Sequence, residues 1–185
     1  MDILILGLLL WSLPHLLKRI APGLRGRLGD VPGKMLVTVL SLAAIALMVI
    51  GYRRAEVVPL YTPLPGIGHL NNLLMLIAIF LLGMGHSRGM LRAKLRHPML
   101  TGVIVWAVAH LLVNGDLASL VLFGGLGLWA VLSMVLINAR ESWQRPAPGA
   151  PRGDLINLAV TLVLYGLIAG VHIWLGYNPF AGTYG

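Results

Sequence analysis

The segment RHPMLTGVIVWAVAHLLVNGD, from Arg96 to Asp116, decides the fold of this chain. Its central run, Pro98–Val113, is close to the roughly 20 apolar residues that an α-helix needs to cross a bilayer. Pro98 suits the first turn of a helix, because the N–H that proline lacks has no partner there. At the other end, Gly115 suits a helix terminus and Asp116 suits the cap of a following helix. The pattern predicts a membrane helix joined to the next one by a tight connection.

The composition of the whole chain indicates the same environment. Of its 185 residues, 58% are hydrophobic and only 11% are charged, which is too little polar surface to coat a soluble globule. The chain is therefore predicted to be an integral membrane protein. It contains no cysteine, which excludes disulfide scaffolds, thiolate metal sites and cysteine nucleophiles.

Six apolar runs near the length of a membrane span are separated by glycine, proline and basic residues. They predict an all-α, polytopic membrane protein, a six-transmembrane-helix bundle that forms a single domain over residues 1–185. The first run precedes its positive charges and lacks a small-residue cleavage site, so we expect it to be a retained helix and not a signal peptide. The runs are Ile3–Leu17, Met35–Tyr52, Ile67–Gly85, Pro98–Val113, Leu117–Asn138 and Leu155–Tyr177.

The basic residues predict the orientation in the membrane. Twelve lysines and arginines fall on one side of the six-helix arrangement, and only Arg53 and Arg54 fall on the other. This asymmetry predicts a cytoplasmic location for the twelve, with both termini on the external side of the membrane. The net charge of +8 is thus attributed to orientation, and nucleic acid is not an expected partner. The twelve are Lys18, Arg19, Arg25, Arg27, Lys34, Arg88, Arg92, Lys94, Arg96, Arg140, Arg145 and Arg152.

His110 is an ionisable residue inside a predicted membrane span, where such groups are rare and usually face the bundle interior. Gly102, Trp106 and His110 recur at i, i+4 and i+8 and therefore share one helix face. A small residue, an aromatic ring and an imidazole in one stripe suit a pocket for a planar, apolar cofactor. The alternative is a histidine that is hydrogen-bonded to a neighbouring helix.

Other histidines provide possible partners for His110. Imidazole is a good ligand of haem iron, and two histidines from different helices would form a six-coordinate b-type site. His172 lies at a depth similar to that of His110, whereas His15 lies near the basic end of the first helix. The chain has no Cys-x-x-Cys-His, so a haem would be bound without covalent attachment.

Three stretches resemble the NnrU family of bacterial membrane proteins: the Arg96–Asp116 segment, WSLPHLLKRIAPGLRGRLG after residue 10, and GVHIWLGYNPF after residue 169. The resemblance covers nearly the whole chain. NnrU proteins are in turn similar to plant 15-cis-zeta-carotene isomerase, a membrane enzyme with haem b that isomerises the central cis double bond of a carotenoid.

The resemblance implies a haem b site and a lipid-soluble substrate such as a polyene. By motif, His15 and His110 are the implied axial ligands, with Trp106, Arg96 and His97 around the cofactor or its entrance. The predicted topology, however, separates His15 from His110 by roughly 10–15 Å along the membrane normal, at 1.5 Å of rise per residue. His172 is therefore kept as the alternative partner of His110.

Two further functional hypotheses remain open. The Arg-His-Pro motif followed by an apolar helix is similar to membrane methyltransferases of the isoprenylcysteine carboxyl type, in which it contributes to the S-adenosylmethionine site. Those enzymes have an acidic, tyrosine-bearing segment after the next helix, and this chain has INARESWQRPAPGAPRGD there instead. The other hypothesis is a non-catalytic accessory protein of denitrification or nitric oxide metabolism, for which the glycines of FGGLGLW at residues 123–129 serve helix packing alone.

Overall fold

The computed structural model describes residues 1–181, in which the chain is almost entirely helical. No strand is formed in this part of the chain beyond one isolated bridge between Pro59 and Asp116. The helices are α1 (Asp2–Ile20), α2 (Pro22–Arg27), α3 (Asp30–Arg54), α4 (Ile67–Met84), a 3₁₀ turn (Leu91–Ala93), α5 (Pro98–Val113), α6 (Leu117–Ser119), a π-helical segment (Leu120–Gly124), α7 (Gly125–Arg140) and α8 (Pro151–Trp174).

The structure confirms the predicted helical membrane bundle. Five helices are long and apolar enough to cross a membrane, and α5 is a shorter apolar helix of 16 residues. One of the five is the continuous helix Leu117–Arg140, which comprises α6, the π segment and α7. The limits of α5 are those predicted from its proline and its Asn-Gly-Asp terminus.

Two of the other limits differ in ways that helix electrostatics explains, and α8 runs from Pro151 to Trp174 where Leu155 to Tyr177 was predicted. The prediction began α3 at Met35, but the helix begins at Asp30, an acidic first-turn residue that interacts favourably with the helix dipole. In the same way α1 extends past Leu17 to include Lys18 and Arg19 in its last turn. The sequence did not predict α2, a short helix in the basic connector that follows α1.

The spanning helices pack in the spatial order α3, α1, α7, α5, α4, α8. Small residues allow the closest approaches: a Cβ added to Gly51 of α3 would lie 2.4 Å from the backbone N of Leu4, and one added to Gly7 of α1 would lie 2.8 Å from the backbone N of Met48. The last helix, α8, packs mainly on α4 and exposes apolar side chains along its length. That exposure is what a helix in contact with lipid requires.

One end of the bundle, which we call the basic face, carries the ends of α1, α4 and α7 and the beginnings of α3, α5 and α8. Its segments are tied together by polar contacts. Arg19 forms an ion pair with Glu141 at 3.6 Å, and the Asp154 carboxylate accepts a hydrogen bond of 2.7 Å from the backbone N–H of Met90. These contacts link the three connectors at this face, which join α1 to α3, α4 to α5 and α7 to α8.

At the opposite face, residues 58–61 form a strap across the connection between α5 and α6. The backbone N–H of Leu60 donates to Gly115 O at 2.7 Å, and that of Leu117 donates to Val58 O at 2.9 Å. A Cβ at Gly115 would lie 1.9 Å from Tyr61 O, so the strap fits only over glycine. Asp116 caps α6 by accepting from Ser119 N at 2.9 Å, as predicted.

Candidate functional site

The first part of the candidate site is a tryptophan–histidine pair on α5. Nδ1 of His110 lies 2.9 Å from the backbone O of Trp106, four residues earlier. A carbonyl oxygen only accepts hydrogen bonds, so Nδ1 carries the proton, and in the neutral ring the lone pair is on Nε2. That tautomer is the one a histidine needs in order to bind a metal through Nε2.

Packing from the next membrane helix fixes the plane of the His110 ring. His110 stacks on Phe123 with ring centroids 4.4 Å apart and an interplanar angle of 23°, and Trp106 contacts both rings. Phe123 is buried and belongs to the π segment. Extra-residue turns of this kind redirect side chains and are frequent at functional sites. We call His110, Trp106 and Phe123 the α5 cluster.

The second part repeats the same arrangement on α1. Nδ1 of His15 lies 2.7 Å from the backbone O of Trp11, and the two rings stack with centroids 4.4 Å apart. Trp129 of α7 meets both rings edge-on, at 5.5 Å from Trp11 and 5.4 Å from His15. We call Trp11, His15 and Trp129 the α1 cluster. The repeated Trp-x-x-x-His spacing is visible in the sequence, but its common hydrogen bond was not predicted.

The structure places His15 and His110 in separate clusters and does not bring their rings into contact. The α1 cluster packs on Trp129 and the α5 cluster on Phe123, six residues earlier on the same continuous helix. Six residues correspond to about 9 Å of rise. The two rings therefore pack at different levels along that helix, and the size of the depth difference between His15 and His110 stays a prediction.

A cavity of about 250 Å³ lies between the two clusters and is almost wholly apolar. It is bordered by Trp11 and Trp129 of the α1 cluster and by Trp106 of the α5 cluster, whereas His15 and His110 are not among its lining residues. Gly102, which shares the face of Trp106, instead lets α5 approach α4 closely. The remaining lining residues are Ile45, Met48, Leu82, Val103 and Leu126.

Two polar atoms beside this cavity lack partners. The indole Nε1–H groups of Trp11 and Trp129 are buried and make no hydrogen bond within residues 1–181. An unpaired buried donor costs about 1–3 kcal/mol. The two donors therefore suit a ligand that is mainly apolar and carries acceptor groups on its edge.

His172 on α8 resembles the other two histidines in its local geometry. Its Nδ1 lies 2.8 Å from the backbone O of Ile168, again four residues earlier. It is close enough to His110 for an electrostatic interaction. It does not line the apolar cavity, because α8 lies at the end of the row beyond α4.

Arg96 and His97 lie at the basic face and hold the end of α7. The Arg96 guanidinium donates to the backbone O of Glu141 and, at 3.5 Å, to that of Ile137. Nε2 of His97 lies 2.8 Å from Oδ1 of Asn138. Neither residue borders the apolar cavity. Both instead line a second cavity, of about 320 Å³, at the basic face.

Comparison with known proteins gives one match. The family described as NnrU protein matches residues 3–179, nearly the whole chain. No curated protein and no solved structure matches the chain. Within residues 1–181, the fold brings together no group of three or more histidine, cysteine, aspartate or glutamate side chains that suits a metal ion.

Proposed function

The chain belongs to the NnrU family, and from that premise we propose that it binds haem b without covalent attachment and isomerises a lipid-soluble polyene. The observation that supports the proposal is the pair of Trp-x-x-x-His arrangements, whose tryptophans border a single apolar cavity. Each arrangement presents an imidazole whose Nδ1 is held by backbone and whose Nε2 is available to a metal.

Residues around the cavity would hold the cofactor. His110 would be one axial ligand, because its ring is fixed by Phe123 and by the Trp106 carbonyl. The second ligand would be His15, which the family resemblance favours, or His172, which the depth favours. The unpaired indole N–H groups of Trp11 and Trp129 would donate to acceptor groups on the macrocycle edge.

Haem iron would supply a centre that shifts electron density at the double bond and so lowers its rotation barrier. The protein residues would bind and orient the substrate. Trp106 and Trp129 offer flat aromatic walls for a conjugated chain, and Leu82 and Leu126 exclude water from it. The cavity lies among the spanning helices, where a lipid-soluble substrate is already concentrated.

The absorption spectrum of the detergent-purified protein tests the proposal. Protein from haem-replete cells is expected to show a Soret band and to yield haem b on extraction with acidified acetone. A haem-free wild-type protein would overturn the proposal and would favour the non-catalytic accessory role. Conversion of a cis-polyene by the haem-loaded protein would then test the isomerase activity itself.

Methyl transfer is supported less well by the geometry. The motif residues Arg96 and His97 are engaged with the end of α7, where they bind carbonyl and amide oxygens. Calorimetry with S-adenosylmethionine separates the two hypotheses: binding to the haem-free protein favours methyl transfer, and its absence favours the haem site.

We also propose that the basic face is cytoplasmic, in a bacterial inner membrane. Reporter fusions after Arg25, Lys94 and Arg145 are expected to behave as cytoplasmic, and a fusion near Glu56 as external. A cytoplasmic signal near Glu56 would contradict the proposed orientation.

A further inference from the structure

The second cavity, at the basic face, is lined by charged and apolar groups together. Its volume of about 320 Å³ is at the lower end of the roughly 300–1,000 Å³ of ligand pockets. Arg92, Arg96 and His97 provide its polar wall, and Met99, Leu100 and Trp143 provide its apolar wall. It is separate from the apolar cavity between the two clusters and shares no lining residue with it.

The cationic groups of this cavity have no acidic counterpart among the described residues. Arg92 donates to the backbone O of Ser87 at 3.2 Å, and Arg96 donates to backbone oxygens at the end of α7. Two carboxylates at the same face are engaged elsewhere: Glu141 with Arg19, and Asp154 with the backbone N–H groups of Met90 and Leu91. The cavity therefore keeps a net positive charge.

A third cation contacts one residue of the wall but does not itself line the cavity. The guanidinium of Arg145 lies 4.9 Å from the ring centroid of Trp143, which forms part of the wall. Cation–π contacts leave the charge of the arginine in place. Its charge therefore adds to the positive potential near the cavity, whose own lining contains Arg92 and Arg96.

The position of the cavity in the fold indicates the rest of the ligand. It surrounds the first turn of α5, where the apolar run of that helix begins, and Trp143 is of the type enriched at membrane interfaces. Its charged side adjoins the basic connectors, and its apolar side continues along Met99 and Leu100 into the spanning region. A ligand that fits both sides has an anionic head and a hydrocarbon tail.

We infer that this cavity binds the phosphate headgroup of an anionic phospholipid, with the phosphate at Arg92 and Arg96 and the start of an acyl chain along Met99 and Leu100. Arginine recognises phosphate well because its planar guanidinium presents several donors. Basic pockets between membrane helices are known binding sites for anionic headgroups. A zwitterionic lipid offers no net charge to offset the arginines, so phosphatidylglycerol is expected to bind more tightly than phosphatidylcholine.

Native mass spectrometry of the full chain, titrated with phosphatidylglycerol or phosphatidylcholine of identical acyl chains, tests the inference. Arg92→Gln is expected to weaken phosphatidylglycerol binding about fivefold, the equivalent of about 1 kcal/mol for one basic residue. Arg92→Lys, which keeps the charge, is expected to restore most of the affinity. The matched control is Arg140→Gln, which removes an exposed charge at the same face outside the cavity and is expected to change little.

Three outcomes would overturn the inference. One is equal affinity for the two lipids, and another is equal weakening by Arg92→Gln and Arg140→Gln. The third is displacement of phosphatidylglycerol by an equal concentration of glycerol phosphate, which would identify a soluble phosphate compound as the ligand. None of these measurements depends on the haem content of the protein, so the inference stands or falls separately from the proposed function.

Discussion

The α1 and α5 clusters contain the same local motif in two different surroundings. In both, Nδ1 of the histidine bonds to the backbone O of the tryptophan four residues earlier. His15, however, stacks on Trp11 of its own helix, whereas His110 stacks on Phe123 of the following membrane helix. The local motif thus fixes which nitrogen is free, and tertiary packing fixes where the ring plane faces.

The largest effect is expected at the α5 cluster. His110→Ala is expected to abolish the Soret band of the purified protein, because the ligand whose ring is held from two helices is lost. His86→Ala, which removes an exposed histidine near the end of α4, is the matched control and is expected to leave the spectrum unchanged. An unchanged Soret band in His110→Ala would remove the α5 cluster from the proposed site.

Replacement of the second histidine is expected to have a smaller and more specific effect. The true axial partner of His110, when changed to alanine, is expected to convert a six-coordinate low-spin spectrum to a five-coordinate high-spin one. His15→Ala and His172→Ala are compared under identical haem loading. Conversion in His172→Ala alone would assign the α1 cluster a role other than ligation.

The unpaired indoles of the α1 cluster predict two effects of opposite sign. Trp129→Phe keeps an aromatic ring but removes a buried donor without a partner, so the haem-free variant is expected to be about 1–3 kcal/mol more stable than Trp106→Phe, which loses the same ring atoms from an indole that is not among the unpaired buried donors. If the donor binds an acceptor on haem, the same change weakens haem binding roughly tenfold, as expected for a bond to a charged group. Thermal unfolding of the two haem-free variants measures the first effect, and haem titration of Trp129→Phe against the wild type measures the second.

The smallest effect is expected at the strap, residues 58–61, which lies across the connection between α5 and α6. The Tyr61 hydroxyl donates to the backbone oxygens of Leu111 and Asn114, and burial, followed by the nearby Asp116 carboxylate, raises the pKa of Tyr61 above its usual 10.0. Because the pKa is raised in the folded state, the protonated Tyr61 hydroxyl stabilises the fold fully below pH 10. This stabilisation is lost as the pH rises through the pKa of Tyr61 in the folded protein.

Hydrogen exchange at the amides of Leu60 and Leu117, which bond across the strap, measures this dependence. Protection is expected to fall at alkaline pH in the wild type. In Tyr61→Phe the two amides are expected to be less protected, and their protection is expected not to change over the pH range in which Tyr61 titrates. An alkaline loss of protection that persists unchanged in Tyr61→Phe would assign the effect to another group.

The same comparison shows what the sequence predicts and what it does not. The limits of α5 follow from Pro98 and from the Asn-Gly-Asp terminus, and Asp116 caps α6 as expected. The glycines of residues 123–129 also pack as expected, since Gly127 lies against Ala107 of α5. Each of these features depends on the chemistry of a few adjacent residues.

The features that the sequence analysis missed depend on contacts between distant segments. The π segment lies in a uniformly apolar run, whose periodicity gives no signal for one extra residue in a turn, yet it places Phe123 against His110. The partners of Arg96 are backbone oxygens at the end of α7, which no side-chain pattern marks. The cavity between the clusters likewise requires five helices to be positioned together.

The helix order has a consequence for biosynthesis. α1 packs closely with α3, and α4 with α5, so each pair is able to insert as a hairpin soon after it leaves the ribosome. The α1 cluster, in contrast, requires Trp129, which is synthesised about 118 residues after Trp11. At roughly 5–20 residues per second, the nascent chain holds the Trp11–His15 pair in the membrane for about 6–24 s before its third ring arrives. Assembly around the cavity is therefore a late event, completed when the second half of the chain docks against the first.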